Sequence, residues 1–380
     1  MMTVMRKVNQ RTLFVFLSLV FVLVYIFLGA KRLSPPISLE PEWAVDVISS
    51  ALKKDNAPGS GAHPPVDTSR VMPYKLGQIM GYFTSGGAVD SLVTFPYRAA
   101  ISRDHYAFFL SNARDTEFFT SGGKSAGIIK GSGFPYFDED RIFLFHPGGA
   151  AFSFVNPDGL TAWTYEGYAP ITAFSSSQSG IAAGYADGVI RVFDFSGEAR
   201  EIEPGGSGFP VILGMAISPD GSKTASISGI SPQRFVLTRT DNGVNKVLHW
   251  RYLEKAARSQ TLVRFSQTGM AVYYESGGLL CIYTIADNST VEIPINGELL
   301  SIAELQKHGK GLVFALSKSR VPQSSGEGDS VYTVWILENF SDLIGSFSFN
   351  ARYAFITADE SNAVYIGKDT TISKINVVRK

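Results

Sequence analysis

The side chains that most often bind metals or act as nucleophiles are few in this sequence and widely spaced. There are five histidines, at His63, His105, His146, His249 and His308. None lies in an HExxH motif or in another spacing that pairs two metal ligands. The single cysteine, Cys281, lies in an apolar run and is expected to be a small buried side chain. The sequence therefore predicts no metal site and no thiolate chemistry.

Acidic and glycine-rich segments are the remaining candidates for catalysis. The acids at 138–140 are consecutive, which is typical of a solvated turn, whereas a glycosidase places two carboxylates on either side of a sugar. The segment 121–126 contains Gly-Gly-Lys-Ser but lacks the G-x-x-x-x-G-K-[ST] spacing of a phosphate-binding loop. No GxSxG motif is present. We therefore expect no catalytic residues and no cofactor, and we predict that the protein is not an enzyme.

The charge balance of the chain disfavours one class of partner. The 34 basic residues equal the 34 acidic residues, so the formal net charge is zero and the pI is near 7.0. Nucleic-acid-binding domains usually carry a basic stripe and a basic pI. We therefore expect no nucleic-acid partner. The 45% of hydrophobic residues and the 37 glycines instead predict an ordered chain with many tight turns.

An uncharged apolar run occupies residues 13–29 and is flanked by basic residues. At about 1.5 Å per residue the run nearly spans a hydrocarbon core of about 30 Å. The N-terminal flank is the more basic one. The positive-inside rule then predicts a cytoplasmic segment at 1–12, a transmembrane signal-anchor at 13–30 and an extracytoplasmic body, periplasmic if the cell is bacterial. The alternative is a cleaved signal peptide, which would give a secreted form.

Residues 31–73 have the composition of a linker between this segment and the body. Pro41 suits the first position of a helix, and two lysines suit the C-terminal end of the helix dipole, so a short helix is predicted at 41–54. Residues 55–69 are rich in proline, glycine and serine, which predicts a flexible segment.

The body of the chain repeats one pattern, in which an apolar strand, a polar turn and a second apolar strand follow each other. The pattern occurs seven times, with turns at Asp104, Glu139, Gln178, Asp220, Thr268, His308 and Asn350. The turns are separated by 35 to 48 residues, with a mean of 41. A four-stranded propeller blade repeats at about 40–45 residues, so the spacing indicates a β-propeller.

The third unit is the clearest, with strands predicted at 171–175, 180–184, 189–195 and 199–203. Its sequence GIAAGYADGVIRVFDFSGE resembles a blade of WD40-like and quinoprotein (PQQ)-like propellers. The SPDG turn at 218–221 resembles a turn common in WD40-like and TolB-type blades. Where WD40 blades end in Trp-Asp, this unit has Phe193-Asp194, so the resemblance is to the propeller superfamily rather than to WD40 proteins alone.

Period and resemblance together predict the fold class. We expect an all-β protein with a β-propeller at 74–380 made of seven four-stranded blades, preceded by the transmembrane helix and the linker. Residues 74–96 contain further strand-like runs. These runs would either complete the last blade or form part of an eighth, so eight blades is the alternative.

The motif GSGFP occurs twice, at 131–135 and at 206–210. Proline cannot donate to a strand ladder, so the motif suits a crossing from one blade to the next. Crossings and the turn between the second and third strands of a blade are expected on the same face of a propeller. Side chains in such loops are therefore candidates for binding a partner. The predicted partner-binding residues are Phe134, Tyr185, Asp187 and Phe209.

These observations predict a non-enzymatic, membrane-tethered propeller that acts as a protein–protein interaction scaffold on the extracytoplasmic side. It would contact the membrane through residues 13–30 and would bind protein partners, envelope proteins among them. A more specific version follows from the resemblance to quinoprotein-like propellers that scaffold outer-membrane assembly. The alternatives are an envelope enzyme or small-ligand sensor that uses the central channel, and a purely structural anchor.

Overall fold

The computed structural model divides into two compact units. It describes residues 10–24, 37–55, 71–110, 112–241, 243–295, 297–307, 310–319, 329–359 and 363–379. The first unit is Met1–Glu40 together with Val377–Lys380, and the second is Pro41–Asn376.

The first unit contains α1 (Gln10–Val24), a helix of 15 residues. No helix in the described part of the chain is both long enough and apolar enough to cross a membrane. The predicted signal-anchor at 13–30 extends past the end of α1, and residues 25–30 lie outside the described residues.

The remaining strands form β-sheets. Each sheet is one blade, and the blades are numbered in chain order. The chain reaches the first sheet after β1 (Ile37–Asp46) and α2 (Val47–Asp55). Blade 1 contains β2 (Val71–Leu76), β3 (Ile79–Thr84) and β4 (Val89–Thr94). Blade 2 contains β5 (Arg98–Ile101), β6 (His105–Phe109), β7 (Asp115–Thr120) and β8 (Ser125–Lys130). Blade 3 contains β9 (Phe134–Asp138), β10 (Arg141–Phe145), β11 (Ala151–Val155) and β12 (Thr161–Glu166).

The remaining blades follow the same antiparallel order. Blade 4 contains β13 (Ile171–Ser177), β14 (Gly180–Tyr185), β15 (Ile190–Phe193) and β16 (Ala199–Ile202). Blade 5 contains β17 (Ile212–Ile217), β18 (Lys223–Ser228), β19 (Arg234–Asp241) and β20 (Val244–Tyr252). Blade 6 contains β21 (Val263–Phe265), β22 (Ala271–Ser276), β23 (Leu279–Thr284) and β24 (Ser289–Pro294). Blade 7 contains β25 (Gly297–Lys307), β26 (Lys310–Ser319), β27 (Ser330–Glu338) and β28 (Asp342–Ala351). Blade 8 contains β29 (Ala354–Ala358), β30 (Ala363–Lys368) and β31 (Thr371–Arg379), with β1 as its outer strand.

The described residues therefore form an eight-bladed propeller, and the prediction of seven blades is wrong. Six of the seven sequence repeats are the first two strands of blades 2 to 7, but the repeat around Asn350 is the crossing from blade 7 to blade 8. Residues 71–94 form a sheet of their own, so the strand-like runs predicted at 74–96 belong to a separate blade and the alternative of eight blades is confirmed. The first strands of neighbouring blades lie side by side, and β2 contacts both β5 and β29, so the ring closes between blades 8 and 1.

A strand from near the N-terminus completes the last blade. β1 adds to β31, where the Lys374 ammonium lies 2.7 Å from Glu42 and the Thr370 hydroxyl donates to Asp46 over 2.6 Å. The helix predicted at 41–54 begins only at Val47, because the preceding residues pair with β31. Asp46 marks this boundary as an N-cap, since its carboxylate accepts from the Ser49 backbone N–H over 2.7 Å.

Aromatic side chains fill the contacts between blades. Between blades 3 and 4, Phe143, Phe152 and Phe193 are fully or almost fully buried, and their neighbours include the ring of Phe174. The predicted burial of Cys281 is confirmed, and burial raises the pKa of its thiol to about 12. Each face of a blade thus buries apolar surface against the next blade, which is the main stabilising contribution in such a ring.

The SPDG turn of blade 5 is held by its aspartate. The Asp220 carboxylate accepts from the Ser222 backbone N–H at 3.1 Å and from the Ser222 hydroxyl at 2.8 Å. Gly221 takes a left-handed conformation with φ of 69°, which glycine adopts without strain. Burial raises the pKa of Asp220, but hydrogen bonds from Ser218 and Ser222 outweigh this effect and hold the pKa well below its usual range.

Replacing Asp220 with asparagine is expected to lower the free energy of unfolding by about 1 kcal/mol near neutral pH. Because the carboxyl pKa is lower in the folded chain, this contribution is present above the usual aspartate pKa of about 3.9 and is lost as the pH falls below it. Urea unfolding of wild type and variant at about pH 7 and about pH 3 tests this. The Asp158→Asn variant, in the equivalent position of another turn, is the control. A difference that is as large in acid as at neutral pH would contradict the prediction.

Candidate functional site

One face of the ring carries the segments that join each blade to the next. In a four-stranded antiparallel blade, strands two and four run towards this face, so the turn between strands two and three lies there as well. We term it the crossing face. The three strands of blade 1 run in the directions of strands two to four, so the β2–β3 turn also lies here. The Phe95 N–H in the crossing from blade 1 to blade 2 donates to the Gln78 carbonyl over 3.0 Å.

The structure brings together the turn of Asp187 and the crossing of Phe209. A Cβ atom on Gly188 would lie 2.4 Å from the Cβ of Pro210, so the turn approaches the crossing as closely as a glycine permits. The neighbouring Ala186 N–H donates to the Pro170 carbonyl over 2.9 Å, which ties the same turn to the crossing from blade 3. Asp187 and Phe209 are both exposed.

Tyr185 is not on the surface, contrary to the sequence-based expectation. Its exposed fraction is 0%, because it is the last residue of β14 and its ring packs between blades 3 and 4. The Arg191 guanidinium lies 5.2 Å from the centre of the Tyr185 ring. No described residue accepts a hydrogen bond from its hydroxyl, and burial raises the pKa of this tyrosine. The buried Tyr185 side chain therefore stabilises the turn that contains Asp187, two residues further along the chain.

Exposed aromatic side chains recur at the crossings. Five of them stand at the start of blades 2, 3, 4, 5 and 8, and we term them the crossing aromatics: Tyr97, Phe134, Tyr168, Phe209 and Tyr353. Their exposed fractions range from 44% for Phe134 to 98% for Tyr168. Sequence reasoning selected only the two in the GSGFP motifs. The signal it missed was an aromatic residue shortly before the first strand of a blade.

A first cavity opens on the crossing face at blades 3 to 6 and has a volume of about 460 Å³. Phe134 lies on its wall and stacks on Phe145, with ring centres 4.9 Å apart. Leu213 and Leu262 form part of the opposite wall. Gln260 donates its side-chain amide to the Thr172 carbonyl over 2.6 Å and so joins blade 6 to blade 4. Among the described residues that line this cavity, none carries a charge.

A second cavity, of about 500 Å³, lies on the same face at blades 8, 1 and 2. Phe134 lines it as well, so the two cavities meet at this side chain. Its other lining residues include Lys75 and Arg98, together with Tyr97 and Tyr353. The Lys75 ammonium donates to the Ala99 carbonyl over 2.7 Å, and burial lowers the pKa of this lysine. No acidic residue is found in the described part of this lining.

The described histidines and the consecutive acids have structural contacts. His105 packs on the ring of Phe118, and His249 stacks on Tyr283 with ring centres 4.3 Å apart. Burial lowers the pKa of both imidazoles. Asp138 pairs with the buried Arg141 at 3.1 Å. Within the described residues, no group of three potential metal ligands comes together. His63 and His308 lie outside the described residues.

Comparison with known proteins identifies one matching family and one close relative in sequence. A family model described as a beta-propeller protein matches residues 5–380. An uncharacterized protein of Treponema pallidum (strain Nichols) is 30% identical over 375 residues, which cover 98% of this chain and 96% of the relative.

Solved structures show the same fold at low sequence identity. BamB from Moraxella catarrhalis matches with a TM-score of 0.54 and 12% identity, over 89% of this chain and 100% of that one. A chain of the mitotic checkpoint complex matches with a TM-score of 0.52 and 12% identity, over 86% and 98%. The computationally designed protein Ika8 matches with a TM-score of 0.53 and 12% identity, over 81% and 96%. At this level of identity the likeness concerns the fold alone.

Proposed function

Since the chain belongs to this beta-propeller family, we propose that it is a non-enzymatic scaffold that binds protein partners through its crossing face. The observation that carries this proposal is the set of five crossing aromatics. Aromatic side chains are enriched at protein interfaces and at their energetic hot spots. Here they stand on short segments between rigid blades, so binding would order few side chains and little backbone.

One of the structural neighbours supports a role in assemblies, by analogy of fold alone. The mitotic checkpoint complex is by its name a multiprotein assembly, and one of its chains has this architecture. BamB supplies the likeness that covers most of this chain among the three compared. Because propellers host many unrelated functions, the surface of this chain carries the argument rather than its fold.

The alternative of an envelope enzyme or small-ligand sensor in the central channel requires polar groups that converge at one mouth. The cavity at blades 3 to 6 has no charged residue among its described lining residues. The described lining of the cavity at blades 8, 1 and 2 has two cations but no histidine or carboxylate to act as a general base. We therefore favour the scaffold.

The test of the scaffold is crosslinking in cells followed by capture of the full chain. A variant with Phe134→Ala, Tyr168→Ala and Phe209→Ala is expected to capture its partners at least tenfold less well, because truncating a hot-spot side chain costs about 2 kcal/mol or more. The matched control carries Leu160→Ala and Met270→Ala, two exposed apolar residues in turns on the opposite face. Equal capture by both variants and the wild type would refute the crossing face as the binding surface.

The proposal includes a tether to the membrane through residues 13–30, with residues 1–12 in the cytoplasm and the propeller outside it, in the periplasm of a bacterium. The run from 13 to 29 is uncharged, and the side chains of Phe14, Leu17 and Phe21 on α1 are each more than half exposed. An apolar helix surface of this kind suits contact with lipid. Envelope proteins would then be the nearest partners.

Fractionation of cells tests the tether. The full chain is expected in the membrane pellet after a carbonate wash. Leu17→Arg together with Phe21→Arg should move it to the soluble fraction, since a charged residue at the centre of a membrane helix costs about 2.5–3.5 kcal/mol. Recovery of the unaltered full chain in the soluble fraction would contradict the tether, while the scaffold proposal would be unaffected.

A further inference from the structure

The two cavities of the crossing face differ in chemistry, although they share one wall. The cavity at blades 3 to 6 is uncharged, and its walls are formed mainly by apolar side chains. The cavity at blades 8, 1 and 2 combines aromatic rings with Lys75 and Arg98. Phe134 belongs to both, so a single extended segment crossing this side chain would meet both environments.

The positive charge of the second cavity has no acidic counterpart within the described residues. Lys75 contacts the Ala99 carbonyl and lies 5.2 Å from the centre of the Phe95 ring, but it pairs with no described carboxylate. An ammonium has three N–H donors, and the carbonyl uses one of them. Arg98 follows the crossing from blade 1, is exposed and likewise has no described acidic partner. Two cations without a described acidic partner in an open cavity favour an anionic ligand.

The position of this cavity follows from the directions of the described strands of blade 1. Blade 1 has three described strands, which take the directions of strands two to four, while seven other sheets have four. The β2–β3 turn therefore meets the crossing at Tyr353, where a Cβ atom on Gly77 would lie 2.6 Å from the Tyr353 ring. The concave site lies between blades 8 and 2, at the place where the ring closes.

We propose that the crossing face binds an acidic polypeptide segment of a partner, with a carboxylate side chain beside Lys75 and Arg98 and a neighbouring apolar side chain in the cavity at blades 3 to 6. This inference rests on the proposed function, because it gives the chemistry of the partner that the scaffold binds. A carboxylate suits the second cavity by charge, and an uncharged side chain suits the first. Phe134 lies between the two cavities, so it would contact the peptide between the carboxylate side chain and the apolar side chain.

Peptide titration of the full chain tests the proposal without knowledge of the partner. The probes are Ac-Glu-Glu-Trp-NH2, Ac-Gln-Gln-Trp-NH2 and Ac-Lys-Lys-Trp-NH2, observed by saturation-transfer NMR at low ionic strength. The acidic peptide is expected to bind at least tenfold more tightly than the basic one, and the difference should shrink with added salt. The double variant Lys75→Gln, Arg98→Gln should lose this preference, whereas Phe134→Ala should weaken the acidic and the neutral peptide alike.

A matched control separates the local site from the net charge of the protein. Lys124→Gln with Lys246→Gln removes the same two charges from exposed positions that line neither cavity, and it should leave the preference intact. Equal binding of all three peptides by the wild type would overturn the inference, as would an unchanged preference in the Lys75 and Arg98 variant. If the Lys75→Gln, Arg98→Gln variant still captured partners, the inference would also be overturned, but the scaffold proposal would stand. If the wild type captured no partner, the scaffold proposal itself would be refuted.

Discussion

Replacing Trp43 with alanine is expected to lower the free energy of unfolding by about 3 kcal/mol, at the lower end of the range for large aromatic residues because Trp43 is only partly buried. Trp43 lies on β1 and packs on the rings of Phe83 in blade 1 and Tyr365 in blade 8, with ring centres 6.4 Å and 5.9 Å away. Its indole N–H donates to the Ser85 carbonyl over 3.3 Å. A single side chain thus joins the first and last blades.

Trp43 lies at the junction that closes the ring. Its replacement is therefore expected to lower the free energy of unfolding by more than the buried area of one side chain suggests. A Cβ atom on Gly87 would lie 3.0 Å from the Trp43 ring, so the indole fills the junction tightly and its removal leaves a cavity. The blades on either side of the junction would then be held by the buried side chains that remain there, which include Tyr74, Phe83 and Tyr365. Urea unfolding of the full chain measures the change in free energy.

The control for Trp43 is the equivalent truncation of a tryptophan that joins no blades. Trp250 lies on β20, the outer strand of blade 5, and is 49% exposed. Trp250→Ala is expected to cost no more than about 1 kcal/mol, as is usual for substitutions near the surface. Equal losses for the two variants would show that Trp43 has no special part in closing the ring.

Replacing Tyr185 with alanine is expected to cost about 3–5 kcal/mol, whereas Tyr185→Phe should cost nothing or raise the stability by up to about 1 kcal/mol. The ring is completely buried and contacts Tyr165, with ring centres 6.5 Å apart, so alanine leaves a large cavity. The hydroxyl has no described hydrogen-bond partner, so phenylalanine removes a buried polar group that is not compensated. The midpoint of urea unfolding distinguishes the two variants.

The behaviour of Tyr185→Phe also decides how the residue takes part in binding. A side chain that only supports the Asp187 turn should allow normal partner capture when its ring is kept. Tyr168→Ala is the comparison, because Tyr168 is 98% exposed and its loss should weaken capture with little effect on stability. A Tyr185→Phe variant that folds normally but captures no partner would show that the hydroxyl itself is needed for binding.

Local sequence patterns predicted the strands and turns of single blades. The four strands predicted for the third repeat match β13 to β16 with differences of no more than two residues at their ends. The glycines of its turn and of the SPDG turn, Gly188 and Gly221, do take the left-handed conformation. These features are predictable because the backbone preference of a turn residue and the alternation of a strand depend on near neighbours.

Pairing between distant segments was not predictable in the same way. The sequence predicts a helix at 41–54, because Pro41 and the lysines that follow are compatible with one. Its second part is confirmed by α2, but residues 41–46 belong to β1 because they pair with β31. Asp46 and Thr370, which meet at this junction, are 324 residues apart. Because β1 supplies the fourth strand of blade 8, the strands β2, β3 and β4 form a blade of their own.

Local sequence patterns suffice to predict the class of fold, the repeat, the crossings at the two GSGFP motifs and two exposed aromatics within them. The number of blades, the burial of Tyr185 and the meeting of Lys75, Arg98 and Phe134 on one face are known only from the folded chain. Turns and strand alternation are predictable because they are set by residues close in sequence. Burial and the proximity of charges depend on which blades become neighbours, and that is settled only when residues 37–46 close the ring.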